Sequence, residues 1–152
     1  MSSVPAVLAA LAALGATTLP DSQIINGSRQ SVTISRGRML LVGDDEVLIT
    51  RDFDSLGGPG TSSEQYVVPL AAFAGFSGAD QTVADAAAFA DYEAMVQAIL
   101  DHPSGPTLGI VAAGVSALSV QPTGEHRFQR LADEDGRQAV VRFDVHVYAQ
   151  IT

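Results

Sequence analysis

The sequence predicts an α+β domain in which two helices pack on a mostly antiparallel, twisted sheet. Three observations lead there. Two stretches, residues 4–14 and 86–100, carry apolar side chains at steps of three and four. Runs between and after them alternate with period 2, as half-buried strands do. The order of these signals is α, several β, α, then β again, which suits helices on one face of an antiparallel sheet.

The elements follow in order. Ser3 is placed to cap the first helix, and Pro5 falls in its first turn, where a missing N–H costs little. Val4, Val7, Leu8, Leu11 and Leu14 share the apolar stripe, and Gly15 is the expected stop. Alanines fill the other side, so this helix should pack against neighbours. A signal peptide is not expected: the first positive side chain is Arg29, and the run from 4 to 14 is too short to span a bilayer.

Ile24 and Ile25 form a short extended piece ending at the turn Asn26-Gly27, and SVTIS at 31–35 alternates. MLLVG and VLIT read as two strands joined by the acidic turn Asp44-Asp45-Glu46. Residues 52–64, DFDSLGGPGTSSE, have no apolar period and read as a flexible loop. In QYVVPLAAFAGF, residues 65–76, both faces are apolar and both should be covered; Pro69 suggests an edge or a bulge. Asp80 or Thr82 caps the second helix, whose stripe is Ala86, Phe89, Tyr92, Val96, Ile99 and Leu100, and Pro103 ends it. A strand around 109–121 and a shorter one through His126 to Leu131 come next. A hairpin loop at 132–136 then leads into VVRFDVHVYAQI, residues 140–151.

The 152 residues predict a single domain spanning 1–152. Without cysteine there are no disulfides, thiolate metal sites or Cys nucleophiles, and a reducing cytoplasm suits the chain. A formal net charge of -9 argues against binding nucleic acid by neutralising phosphates. Charged residues are only 16% of the chain against 47% hydrophobic, so part of the surface should be covered by partners.

The search for chemistry finds little. There is no P-loop, no dinucleotide fingerprint around GGPG at 57–60 and no nucleophile elbow. His102, His126 and His146 lie on different elements without metal-ligand spacing, and no cofactor is expected. The clusters Asp44-Asp45-Glu46 and Asp133-Glu134-Asp135 lack EF-hand spacing and read as solvated hairpin tips, and Asp52 and Asp54 as ordinary loop acids. On the last strand Asp144 and His146 share a face, as a base and its orienting carboxylate would. A triad also needs a nucleophile and an oxyanion site. The plainer reading is an amphipathic sheet face on which Arg142 and Asp144 can pair. Arg142, Asp144, His146 and Tyr148 together suit a wet protein interface.

Several stretches resemble the tail terminator (tail completion) proteins of long-tailed bacteriophages, especially phages of actinobacteria. They are VPAVLAALAAL, RMLLVGDDEV, YVVPLAAFAGFSGADQTVADAAAF, GIVAAGVSALSVQPTGEHRF and GRQAVVRFDVHVYA. The segment running from strand through Ser-Gly-Ala-Asp into a helix carries the most weight. The loop at 52–64 is the least similar part.

The resemblance implies a non-enzymatic virion protein at the head–tail junction, made in the host cytoplasm. It implies a hexameric ring that ends polymerisation of the tail tube and receives the head-completion or neck protein, with no membrane partner. DNA would pass without specific binding. On that reading Arg142, Asp144, His146 and Tyr148 are candidates for a contact between subunits. Asp52, Phe53, Asp54, Ser55 and Leu56 are candidates for the tail-tube contact, and Asp44, Asp45 and Glu46 for acids lining a channel that repels DNA. The alternatives are another head–tail connector or neck component and, from a different class, a small hydrolase using Asp144 and His146.

Overall fold

The computed structural model describes residues 2–27, 37–44, 46–53, 60–78, 80–133 and 136–152. Their order is α1 (Val4–Thr18), β1 (Ser22–Asn26), β2 (Gly37–Val42), β3 (Ile49–Asp52), β4 (Ser62–Phe76), α2 (Gln81–Leu100), a 3-10 turn (Gly105–Thr107), β5 (Val115–Asp133) and β6 (Gly136–Ile151). The described strands form one sheet ordered β1-β2-β4-β6-β5, with β3 also on β4. All pairings are antiparallel except that of β1 with β2. This is the expected α+β fold.

Strand parity decides where the core lies, because successive side chains point to opposite faces. Tyr66, Val68, Leu70 and Ala72 of β4 and Phe143, Val145, Val147 and Ala149 of β6 face the helices. There they meet Val7 and Leu11 of α1 and Met95 and Ile99 of α2. The opposite face has its own smaller cluster of Met39, Leu41, Ala71, Phe73 and Val140. So β4 is covered on both sides around residues 71–73, as its two-sided apolar sequence predicts, but Val67 on the open face is exposed.

Several expectations need correction. The first helix does not stop at Gly15; it runs to Thr18, and the Leu19 N–H donates to the Gly15 carbonyl at 2.8 Å. Gly15 is instead a packing residue: a Cβ there would lie 2.8 Å from Leu40 Cδ2. Nor does the Ser3 side chain cap the helix, since it is used elsewhere.

The face of α2 also differs. Asp80 caps it as expected, accepting from the Thr82 N–H at 3.1 Å. Its buried line, however, is Ala84, Ala88, Asp91, Met95 and Ile99. Ala86 and Leu100 are exposed, and Phe89, Tyr92 and Val96 are only half-buried flanks. Small residues take the centre because they let the helix approach the sheet at Ala74 and Ala139.

The acidic segment does not turn a hairpin. Both β2 and β3 run antiparallel to β4 and lie end to end along it, Val42 opposite Leu70 and Ile49 opposite Tyr66. Residues 43–44 and 46–48 belong to an excursion between two collinear strands. The Gly43 and Asp44 N–H groups both donate to the Pro69 carbonyl, at 2.8 and 3.1 Å. Pro69 therefore sits in a central strand, not at an edge. Within a strand a residue's N–H and C=O point to the same side, so its missing donor faces this excursion, where no ladder is interrupted.

Lastly, the two strands expected near 109–121 and 126–131 are one strand, β5, irregular between Pro122 and His126. The loop expected at 52–64 is strand at both ends, Asp52 closing β3 and Ser62 to Glu64 opening β4 on its register; residues 54–59, the strand expected at 31–35 and the loop tip at 134–135 lie outside the described residues. No described helix is long and apolar enough to cross a membrane.

Candidate functional site

The open face of β4, β6 and β5 carries the residues that the sequence singles out. Arg142, Asp144, His146 and Tyr148 project there because Val141, Phe143, Val145 and Val147 are turned to the core. Arg142, Asp144 and His146, with Val67 and Pro69, floor a groove of about 540 Å³. One wall holds Asp44, Glu46, Leu48 and Thr50 from the excursion and β3; the other holds Glu125 and Arg127 from β5. Tyr148 lies farther along the same face, part-exposed, outside the groove lining.

The pairings inside the groove differ from those expected. The Arg142 guanidinium donates to the Asp44 carboxylate, not to Asp144 on its own strand. It also lies 5.9 Å from the centre of the Phe73 ring. The Asp44 side chain is only 6% exposed, so it is not the solvated hairpin tip the sequence suggests. Glu46 is exposed, and Asp45 lies outside the described residues. Asp144 and His146 share the face without a hydrogen bond between them among the described contacts, and neither has a hydroxyl nucleophile bonded to it. Arg127 stands directly opposite Arg142 across the β5–β6 ladder and makes no ion pair among the described residues.

Of the loop candidates, Asp52 and Phe53 are exposed, Phe53 beneath the Arg51 guanidinium at 6.0 Å; Asp54, Ser55 and Leu56 lie outside the described residues. His126 is on the helix side, 3.2 Å from the Tyr92 hydroxyl within an aromatic group that includes Phe89, Phe128 and Phe143. His102 lies beyond the C-terminal end of α2, where its Nδ1 accepts the Ser104 N–H at 3.1 Å. The three histidines are thus separate, and no group of three or more His, Asp or Glu side chains among the described residues converges to hold a metal.

Two buried carboxylates were not singled out from the sequence. Glu64 accepts the Ser3 N–H and the Ser3 hydroxyl, both at 2.9 Å, and the Arg51 guanidinium. With the Ser3 proton given to Glu64, the Tyr66 hydroxyl donates to Ser3 Oγ at 2.8 Å. Burial alone would raise the Glu64 pKa, but the donors from Ser3 and Arg51 outweigh it and hold the carboxyl below its usual 4.5. Burial, with the neighbouring Glu64 charge, pushes Tyr66 up to about 12. Asp91 accepts the Ser22 hydroxyl at 2.8 Å and takes Arg38 through two guanidinium nitrogens, tying α2 to β1 and β2. Both networks are fully satisfied, which marks them as structural. A signal existed for each: Glu64 has the parity of Tyr66 and Val68, and Asp91 lies in the line of Ala88 and Met95.

No protein-family model matches the chain, and no curated protein matches it.

Proposed function

We propose that the chain is a structural subunit of a long-tailed phage virion. It forms a ring, expected to be hexameric, at the head-proximal end of the tail tube, where it ends polymerisation and receives the head-completion or neck protein. The resemblance of the quoted stretches is the starting point. The observation that carries the reading is the open face of the sheet: charged, aromatic and aliphatic side chains stand together around a groove, beside the outer edge of β5, which pairs with no other strand among the described residues. A face of this composition fits protein contact better than bulk water. A net charge of -9 per copy favours free passage of DNA through such a ring.

The experiment is assembly on a tube. The full chain is added to polymerising tail-tube protein, and tube ends are imaged with the native mass of the mixture. Capped ends and arrested growth are expected; tubes that grow on with bare ends would sink the assignment. A connector elsewhere in the neck would bind the virion but leave the tube end bare. The hydrolase reading rests on the shared parity of Asp144 and His146 alone, and without an aligned nucleophile that parity supports packing and contact, not turnover.

A further inference from the structure

We propose that the groove on the open face is a self-docking site, which receives the corner of a second copy formed by Asp101 and Val111 so that copies join head to tail. This rests on the assembly reading and names the surfaces that would carry it. The groove sets the chemistry of its occupant. Arg127 and Arg142 are direct partners across the β5–β6 ladder, and like charges placed opposite one another are unfavourable unless an anion answers them. Asp44 answers Arg142; Arg127 is answered by nothing described. At the rim Leu48 is 76% exposed, and Val67 on the floor is part-exposed. The occupant therefore brings a carboxylate beside an aliphatic group.

The chain itself offers that combination on its other side. With 17 acidic residues against 8 basic ones, carboxylates are what its surface has to spare. Beyond the C-terminal end of α2, Asp101 and Val111 line a second concavity, walled by Ala6, Ala10 and Ala13 of α1. Val111 is 98% exposed, the most exposed large apolar side chain described, and Leu48 is the next. One Asp101 oxygen accepts the Gln97 amide, and the remaining lone pairs are open to a guanidinium. The groove lies on the sheet face away from the helices and the corner on the helix side. One patch thus cannot meet its own copy, and the contact is heterologous, as a closed ring of identical subunits requires.

The test uses charge reversal on the full chain. Arg127→Glu and Asp101→Arg are both surface changes, and unchanged thermal unfolding verifies that each variant folds. By sedimentation velocity across concentrations, wild type should associate, and each single variant should do so at least about tenfold more weakly. Mixing the two variants sets an intact groove against an intact corner and the reversed groove against the reversed corner, so association absent from either variant alone should return. The double variant, with the charges exchanged, should recover association. Wild type that stays monomeric at every concentration, singles that associate normally, or a double variant no better than the singles would each overturn the proposal. Singles that associate normally while wild type still caps tube ends leave the assembly reading standing; bare tube ends remove that reading separately.

Discussion

The Arg142 guanidinium reaches across the open face to the Asp44 carboxylate, joining β6 to the excursion between β2 and β3. The acid is nearly covered and the base part-exposed, so the pair is neither a solvated surface bridge nor a sealed one. Asp144, two residues along the strand, has no comparable partner among the described residues. Replacing Asp44 with Asn should therefore cost about 1 kcal/mol, near the upper end for exposed pairs, while Asp144→Asn should be close to neutral. A double-mutant cycle of Asp44→Asn with Arg142→Met, read by urea unfolding, should return most of that cost as coupling. Equal effects of the two Asn substitutions would mean that Arg142 has no preference for Asp44.

Glu64 fixes the start of α1 to β3 and β4. Its carboxyl pKa is depressed in the folded chain below 4.5. A depressed carboxyl contributes stability above its unfolded pKa and loses it as pH falls through the folded value. Unfolding free energy measured from about pH 7 to about pH 3 should fall below roughly pH 4.5. Glu64→Gln should flatten that acid limb and lower stability at neutral pH by about 3 kcal/mol, because Arg51 and Ser3 lose a buried charged acceptor. An acid limb unchanged in Glu64→Gln would assign the transition to other carboxylates.

Asp91 holds the middle of α2 against two strands. Asp91→Ala should destabilise by about 3 to 5 kcal/mol, since it strands the Arg38 charge beneath the helix. Asp91→Leu with Arg38→Met should recover much of the loss, since an apolar pair removes both the charge and its unmet partner. Chemical denaturation midpoints of the three variants decide it; an Asp91→Ala protein as stable as wild type would contradict the network.

How far the sequence reveals these features depends on whether they are local. The cap at Asp80 and the stop before Pro103 bound α2 almost to the residue, because capping and proline geometry act within one turn. Its buried face is not legible the same way. Large apolar residues suggest a stripe through Phe89, Tyr92 and Val96, but close approach to the sheet selects Ala84, Ala88 and the paired Asp91. Two apolar runs around an acidic segment look like a hairpin, and only their shared register on β4 shows that they are collinear. The last strand is read correctly by parity alone. The groove beside it is not, since Leu48 and Arg127 reach it through pairings with β4 and β6 that no local pattern encodes.

The close of the β5–β6 hairpin gives the most stringent test of the tertiary arrangement. A Cβ on Gly136 would lie 2.2 Å from the Phe76 carbonyl oxygen and 2.9 Å from Ser77 Cα, both backbone atoms that cannot swing aside. Gly124, in the irregular part of β5, has φ +83° but open space around its Cβ position. Alanine at Gly124 therefore bears only the backbone preference, about 1 kcal/mol. Alanine at Gly136 must push β6 away from the end of β4, and overpacking against a fixed backbone costs about 2 kcal/mol or more. In a chain of this size that lowers the melting temperature by roughly 6 °C, against about 3 °C for Gly124→Ala. Calorimetry of the two variants ranks them directly. If Gly136→Ala proves the milder change, β6 does not start as close to Phe76 as the fold requires.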